Sequence, residues 1–328
     1  MRAVLDYLVS HPASLGALIF VLITLLCTLL LCSYTYRITF KRRKRELGLY
    51  EGFSSESHGG HGERMRAMVK ALADEPCETV QIRAKDGTWL RCRYYERRKG
   101  APLQVQFHGY RSHPVRDFSG GGGFALRSGY NLALVYQRAH GESEGRSISF
   151  GVRESEDAVE WLNYFANRCG NVPIFAVGIS MGAATVLLAG AKELPECVKG
   201  IIADCPYSDA ESIIKRVAGK MGFPPRLVYP FIRLGGRIFG GFDVNLSSPI
   251  KAVKDWRVPV LLIHGEDDGF VPCSMSDRIH AEAKKHGQPI KYLTFKGADH
   301  GMSYIVDQER YEKEIVCFLS KLTNTDNE

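Results

Sequence analysis

The chain has 328 residues, of which 45% are hydrophobic and 24% are charged. This is the balance of a folded globular protein, and it excludes a disordered chain, a collagen-like repeat and a small disulfide-rich scaffold. The formal net charge is +7, but six cations lie together in residues 37–45, so the rest of the chain is nearly neutral. We therefore expect no nucleic-acid partner.

The first predicted element is a transmembrane helix over residues 13–36, which follows a short N-terminal segment of residues 1–12. Residues 7–36 contain no Asp, Glu, Lys or Arg, and about 20 apolar residues in a helix span the roughly 30 Å of a bilayer core. A cleaved secretory signal is the alternative. The apolar run is longer than the usual signal core of about 7–15 residues, and no small-x-small cleavage site follows it.

The charges around this helix predict its orientation. Arg2 is the only side-chain cation before it, whereas the cluster of residues 37–45 follows it. The positive-inside rule then places everything after the helix in the cytoplasm, at the cell membrane, with the cluster against anionic lipid head groups. Seven scattered cysteines follow the helix, as expected of reduced thiols in that compartment.

A linker is predicted over residues 37–62, basic at first and then rich in Gly, Ser and His. His58 and His61 in this linker could hold a metal ion. Two imidazoles in a glycine-rich stretch without further ligands are typical of an ordinary polar linker. No metal site is therefore predicted.

The remaining domain, residues 63–322, begins with a predicted helix over 63–73 and then alternates strands with helices. The predicted strands are 79–84, 88–95, 103–107, 130–136, 172–177, 200–203, 258–263 and 290–295, and the further helices are 154–165, 183–191, 275–286 and about 304–319. This order predicts an α/β fold with a mainly parallel central sheet flanked by helices. Residues of about 206–256 interrupt the alternation and predict an inserted cap of short helices.

The most specific motif is GISMG at residues 178–182, between a predicted strand and a predicted helix. In that context, G-x-S-x-G places a serine on a tight turn with its hydroxyl exposed, and the crowded turn needs glycine on both sides. An ordinary turn whose serine caps the helix is the alternative. We predict that Ser180 is a nucleophile.

A serine hydroxyl needs a base that takes its proton. When the serine lies on such a turn, the chain order is serine, acid, histidine. His280 and His286 fall on a predicted helix, whereas His300 follows the last predicted strand, where side chains reach the carboxyl edge of the sheet. His300 is therefore the predicted general base.

An acid must in turn hold the base. Asp267 and Asp268 both follow the strand predicted over 258–263 and compete for this role, with Glu266 a weaker candidate. Asp204, at the end of another strand, is a further alternative with an expected structural role. Placement along the chain alone does not separate Asp267 from Asp268.

Two backbone N–H groups are needed to stabilise the oxyanion of a tetrahedral intermediate. Met181 follows the nucleophile and is expected to supply one of them. Tyr110, in the loop FHGY directly after a strand, is expected to supply the other. His108 in the same loop is predicted to shape it rather than to act as a base.

These motifs resemble those of the α/β-hydrolase superfamily, over roughly residues 79–319. Within it the chain is similar to the serine-aminopeptidase/monoacylglycerol-lipase-like and cinnamoyl-esterase-like branches. Residues 137–145 (QRAHGESEG) are similar to the family's R-G-H-G-x-S-x-G loop, with Ala139 in place of a glycine, and residues 265–272 match its acid loop. That match selects Asp268 as the third triad member. The resemblance implies an α/β-hydrolase fold and neither a metal nor an organic cofactor.

The resemblance further implies a serine hydrolase that cleaves carboxylic esters through an acyl-enzyme on Ser180. Peptidase, aminopeptidase or thioesterase activity on the same triad is the alternative within the enzyme class, and a non-catalytic binding protein on a hydrolase fold is the alternative outside it. An aromatic cap and a bilayer anchor suggest a small apolar ester or acyl substrate, with Tyr207 and Phe270 as its predicted binding residues. Alternatively, the cap aromatics only pack the cap onto the sheet.

Overall fold

A computed structural model describes residues 11–43, 48–51, 60–170 and 172–323 of the chain. His58, the first of the two linker histidines, lies outside the described residues, as do Lys44 and Arg45 of the basic cluster.

Eight strands form one sheet in the order β1-β2-β4-β3-β5-β6-β7-β8. The strands are β1 (Glu78–Arg83), β2 (Trp89–Tyr95), β3 (Leu103–Phe107), β4 (Asn131–Tyr136), β5 (Ile174–Ile179), β6 (Val198–Asp204), β7 (Val260–Gly265) and β8 (Ile290–Phe295). The pairs β1–β2 and β2–β4 are antiparallel, and all pairs from β4 through β3 to β8 are parallel. The predicted mainly parallel sheet is confirmed.

Helices connect the parallel strands, because each parallel connection must cross from one end of the sheet to the other. With the helices before β1 and after β8, the helices of the described residues are α1 (Pro12–Thr39), α2 (Gly62–Asp74), α3 (Pro114–Asp117), α4 (Gly121–Arg127), α5 (Glu154–Cys169), α6 (Met181–Ala189), α7 (Ala210–Lys220), α8 (Pro225–Gly235), α9 (Pro249–Ala252), α10 (Ser274–Lys285), α11 (Ser303–Val306) and α12 (Gln308–Thr323). Single π and 3-10 turns at Gly236–Gly240, Val244–Leu246 and Val253–Asp255 complete the part of the chain between β6 and β7.

One long C-terminal helix was the expectation, whereas the structure has two, α11 and α12. The break lies at Asp307, whose carboxylate accepts the N–H of Arg310 at 3.1 Å and so caps the start of α12. No element is predicted for the four glycines of residues 120–123, and the structure places three of them in α4.

The sheet is covered on both faces. Trp161 and Phe165 of α5 and Ile279 of α10 are buried against one face, whereas Val69 of α2 and Phe318 of α12 are buried against the other. The second face is the one that carries the cavity described below.

Helix α1 has an exposed part and a packed part. Among the described residues it is the one helix long and apolar enough to cross a membrane, and most large apolar side chains from Leu18 to Leu31 are exposed. Its last turns pack on α8, where a Cβ on Gly235 would lie 2.5 Å from the Cys32 carbonyl oxygen. Phe40, directly after the helix, is completely buried. The end of α1 therefore belongs to the core of the following domain.

Candidate active site

The turn between β5 and α6 holds Ser180 in a strained backbone conformation, with φ +56° and ψ −114°. A positive φ is rare for a residue with a side chain. The turn is possible because of its glycines: a Cβ on Gly178 would lie 2.2 Å from the Gly182 carbonyl oxygen, and one on Gly182 would lie 1.8 Å from that of Phe107. The Ser180 N–H donates to the carbonyl of Asp204 at 2.8 Å, which ties the turn to β6.

His300 lies between Ser180 and Asp268, within hydrogen-bonding distance of each. The Nε2 atom of His300 lies 3.0 Å from Ser180 Oγ, and its Nδ1 atom lies 2.7 Å from Asp268 Oδ2. With the proton on Nδ1, the ring donates to Asp268 and accepts from the serine hydroxyl. This is the arrangement that proton transfer from the serine requires.

The Asp268 carboxylate is held in its charged form. Burial alone would raise the pKa of this group, but hydrogen bonds from His264 and His300 hold it well below its ordinary value. The other carboxylate oxygen accepts the N–H groups of Phe270 and Val271, each at 2.8 Å. A fixed, ionised carboxylate at this position stabilises a positive imidazole on His300.

The competing acids and histidines lie elsewhere. Asp267 is exposed, and the Glu266 carboxylate accepts the hydroxyl of Thr294 at 2.7 Å. His280 lies on α10 and packs against the ring of Tyr292 on β8. His286, which ends that helix, lies 3.0 Å from Glu282.

Asp299 connects the loop that carries Asp268 to the loop that carries His300. Its carboxylate accepts the N–H of Gly269 at 2.9 Å and that of His300 at 2.7 Å. Gly265 allows the close approach, because a Cβ there would lie 2.2 Å from the Ala298 carbonyl oxygen. The contact fixes the distance between Asp268 and His300.

The loop after β3 is held in place from two directions. The half-buried Asp117 carboxylate accepts the Gly109 N–H at 2.7 Å and also the Ser112 hydroxyl. Tyr110 donates its hydroxyl to the carbonyl of Thr39 at 2.7 Å, so the end of α1 contacts the loop expected to hold the oxyanion. Sequence reasoning missed both supports, since the partners lie on other elements.

His108 stays neutral and shapes its loop. Burial lowers its pKa to about 4. Its Nδ1 donates to the carbonyl of Gly109 at 2.7 Å, its Nε2 accepts the N–H of Gln137 at 3.1 Å, and the ring packs edge-on against that of His140. Every ring nitrogen is thus used inside the protein.

A cavity of about 350 Å³ opens at Ser180 and His300. It extends along the sheet face that packs against α12, and it is at the small end of the volumes of ligand pockets. Phe270 lines its opening, with its ring 5.2 Å from that of His300. Tyr110 lines it too, whereas Met181 is buried at the start of α6 beneath the cap.

The expectation for Tyr207 needs correction. Tyr207 does not line the cavity; it is buried against the ring of Phe150 and donates its hydroxyl to the Phe150 carbonyl at 2.7 Å. The aromatic residues of the cap do not line the cavity either, and Tyr229 and Phe242 among them are buried in the cluster that joins the cap to the sheet. These two rings fill space because their large apolar surfaces are removed from water there.

Cys205, Asp268 and His300 offer donor atoms within 4.8 Å of one another, which raises the question of a metal. Burial, with the nearby carboxylates of Asp204 and Asp268, raises the pKa of the Cys205 thiol well above its ordinary value. A neutral thiol is a poor ligand, and the other two residues are already bonded to each other. The donor set does not suit a metal ion.

The comparison with protein families gives one match, to the prolyl oligopeptidase family over residues 147–326. This segment covers more than half of the chain and contains Ser180, Asp268 and His300.

Similar proteins of known sequence include esterases and lipases. The bifunctional esterase/perhydrolase DCH of Acinetobacter calcoaceticus is 38% identical over 240 residues, which cover 60% of this chain and 84% of that protein. The uncharacterized protein YqkD of Bacillus subtilis is 28% identical over 61% of this chain and 65% of its own length. The lysophosphatidylserine lipase ABHD12 of Danio rerio is 24% identical over 52% of this chain and 45% of its own length. The chain thus spans less than two thirds of the last two relatives.

Solved structures show the same fold. The Pyrococcus furiosus esterase Pf2001 has a TM-score of 0.62 at 20% identity, over 78% of this chain and 94% of that one. Est1E of Butyrivibrio proteoclasticus, solved with ferulic acid bound, has a TM-score of 0.57 at 20% identity, over 74% and 98%. The predicted α/β-hydrolase fold is confirmed.

Proposed function

This chain belongs to the prolyl oligopeptidase family of α/β-hydrolases, and from that premise we propose that it is a membrane-anchored serine esterase. Ser180 is the nucleophile, His300 the general base and acid, and Asp268 the group that orients and stabilises His300. The observation that carries this proposal is the chain of hydrogen bonds from Ser180 Oγ through His300 to the buried Asp268.

The first half-reaction forms an acyl-enzyme. Ser180 Oγ attacks the ester carbonyl carbon while its proton passes to His300 Nε2, and Asp268 stabilises the resulting imidazolium. The tetrahedral intermediate collapses as the bond to the alcohol oxygen breaks, and His300 returns the proton to that alcohol. In the second half-reaction water loses a proton to His300 and attacks the acyl carbon. The bond from that carbon to Ser180 Oγ then breaks, His300 returns the proton to Oγ, and the acid is released.

The negative charge on the carbonyl oxygen needs fixed donors. We assign the backbone N–H groups of Met181 and Tyr110 to this role. The strained turn positions the first. The second depends on the loop that Asp117 and the end of α1 hold in place. Preorganised donors stabilise the oxyanion without any cost of reorganisation during the reaction.

Ester cleavage is favoured over amide cleavage by the relatives. The protein that is 38% identical is named an esterase, and the ABHD12 relative is named a lipase. A non-catalytic role has less support, because a binding protein has no need of a buried, ionised carboxylate aligned with a histidine and a strained serine.

We further propose that α1 is an uncleaved anchor and that the catalytic domain faces the cytoplasm. The exposed apolar part of α1 is suited to lipid, and the basic residues that follow it set the orientation. Removal of α1 as a signal would also take away the support that its last turn gives to Tyr110. A reporter fused to the C-terminus tests this; an external location would overturn the proposed topology.

Hydrolysis of p-nitrophenyl, aryl and thio esters and of aminoacyl amides by the full chain in detergent micelles tests the enzymatic proposal. We expect ester turnover to be the fastest, and to fall on the order of 10⁴-fold in Ser180→Ala, His300→Ala and Asp268→Asn. Asp267→Asn is the matched control and should retain activity. Full turnover by Ser180→Ala, or loss of activity in Asp267→Asn but not in Asp268→Asn, would contradict the assignment.

A further inference from the structure

The central strand β3 carries two glutamines where a parallel sheet usually has apolar side chains. Its sequence is LQVQF, and all five residues are buried. Gln104 is 4% exposed and Gln106 only 1%. Strands covered on both faces normally read as continuous apolar runs, and burial of an amide costs free energy unless its hydrogen bonds are made. The burial of these two amides in a central strand therefore requires an explanation.

Their mutual contact does not satisfy them. Gln106 Nε2 donates to Gln104 Oε1 at 2.9 Å. Gln106 Oε1 is fully buried, and in the part of the chain that the structure describes it has no hydrogen-bond partner. One acceptor thus remains unused inside the sheet.

A second unused acceptor lies on the same face of the sheet. Asp204, at the end of β6, is 3% exposed. Its Oδ2 accepts the hydroxyl of Tyr311 at 3.1 Å, whereas Oδ1 has no partner among the described residues. Burial raises the pKa of this carboxyl to about 6, so it is mostly ionised at neutral pH. A buried carboxylate oxygen without a partner is costly, and buried polar groups are normally paired.

The strand register brings Gln106 and Asp204 to the same cavity, the one that opens at the nucleophile. Asp204 pairs with Ile179, the residue before Ser180. Gln106 pairs with Val177, two residues earlier, which is about 7 Å deeper along the strand. Gln106 and Asp204 are among the residues that line the cavity, together with apolar residues that include Phe118, Phe124, Ile202, Tyr304 and Ile315.

We propose that this cavity holds the acyl group of the substrate, and that this group carries a hydroxyl or protonated amine a few bonds from the scissile carbonyl. The hydroxyl or protonated amine donates to Asp204 Oδ1 or to Gln106 Oε1, while the apolar walls contact the carbon chain. The inference rests on the proposed esterase function and deepens it, because it names the class of acyl group. A plain alkyl chain would leave both acceptors without a partner, which is why such a site discriminates strongly.

Three p-nitrophenyl esters of equal chain length test this: butanoyl, 3-hydroxybutanoyl and 3-aminobutanoyl. We expect the wild-type full chain in micelles to turn over at least one donor-bearing ester with a kcat/KM on the order of 10-fold above that of the butanoyl ester. A preference for the hydroxy ester identifies a neutral donor and one for the amino ester a cation. Rates for all three esters within about 3-fold of one another would overturn the proposal.

Variants of the two cavity residues test whether they cause the preference among the three esters. In at least one of Gln106→Leu and Asp204→Asn, we expect the ratio of kcat/KM for the preferred ester to kcat/KM for the butanoyl ester to fall at least 5-fold. Asp204→Asn should remove a preference for the amino ester in particular, because the variant has no negative charge. Gln81→Leu, the same substitution on the exposed side of β1, is the control and should change no rate. A preference that survives in both cavity variants would overturn the assignment.

This test is distinct from that of the esterase function. If the butanoyl ester is hydrolysed and Ser180 is labelled by a fluorophosphonate, but no ester is preferred, only the acyl-group inference fails. If no ester is hydrolysed and Ser180 is not labelled, the proposed function itself fails. The wild-type comparison needs no variant, so it remains decisive where a substitution prevents folding.

Discussion

On the cap side of Ser180, aromatic side chains fill the available space, whereas on the sheet side a cavity remains. The cap side contains Phe40, whose ring packs edge-on against those of Phe150 and Phe242 at 5.8 and 5.2 Å. The sheet side contains Gln106 and Asp204, each with a buried acceptor that has no partner among the residues that the structure describes. The buried aromatic residues of the cap therefore lie on the filled side, away from the cavity.

The difference shows that aromatic and polar residues have different roles on the two sides of Ser180. Large rings bury apolar area and stabilise the cap, and the end of α1 contributes to that stability through Phe40. Polar side chains within a buried strand add no such stability, and in our proposal a donor on the acyl group gives them a partner. Substitutions on the two sides should consequently affect different measurements.

Phe40→Ala should give the largest change in stability. The ring is completely buried, so its loss removes apolar contacts and leaves a hole, with an expected decrease in unfolding free energy of about 3–5 kcal/mol. The preference among the three esters should not change, because the cavity lies on the other side. Denaturant unfolding in micelles measures the first quantity. Phe20→Ala, on the exposed part of α1, is the control, and an equal effect there would break the comparison.

Asp204→Asn should change how stability depends on pH. The pKa of Asp204 is raised from 3.8 to about 6 in the folded protein, so the folded state binds this proton more tightly than the unfolded state. Protonation then favours folding as the pH falls below about 6, and that contribution is lost as the pH rises through 6. Relative to wild type, the variant should gain roughly 2–3 kcal/mol between pH 4 and pH 8.

Unfolding free energies measured at pH 4, 6 and 8 would show this gain. Asp267→Asn, at an exposed carboxylate, should show none of it. A constant difference between wild type and Asp204→Asn at all three pH values would mean that Asp204 does not titrate as described.

Ile315→Phe should impair catalysis more than stability. Ile315 lines the cavity from α12, and the larger ring occupies space that the acyl group needs. We expect kcat/KM for the butanoyl ester to fall about 20-fold, within the range that pocket contacts supply. Ile214→Phe makes the same change in the cap cluster and should cost about 1–3 kcal/mol of stability instead. If the Ile214 variant loses more kcat/KM than the Ile315 variant, the acyl group binds under the cap.

Tyr207→Phe should have the smallest effect. It removes one hydrogen bond to the Phe150 carbonyl, which still accepts the hydroxyl of Ser247. The expected loss is about 1 kcal/mol of unfolding free energy, with KM values unchanged for all three esters. A KM that rises severalfold would restore Tyr207 as a substrate-binding residue.

The parts of the site that sequence could predict are those set by local pattern. The glycines around Ser180 and the position of His300 after the last strand follow from residues close in the chain. The choice between Asp267 and Asp268 did not follow from placement, because neighbouring residues in one turn differ only in the direction of their side chains.

The cavity could not be predicted because it depends on distant segments. The register of β3, β5 and β6 places Gln106 and Asp204 on the same face of the sheet. No local sequence pattern specifies this register. The alternation in β3 did place two glutamines on one side of a central strand, and that signal was available from the sequence. Burial of Phe40 likewise requires the cap to fold back onto the end of α1.

Labelling by a fluorophosphonate probe, followed by peptide mapping of the full chain, tests the central claim most directly, because only an activated serine reacts readily. The account predicts one labelled site at Ser180, no label in Ser180→Ala, and labelling slowed on the order of 10³-fold or more in His300→Ala. A folded wild-type protein that takes up no label, or that carries the label at another residue, would contradict it.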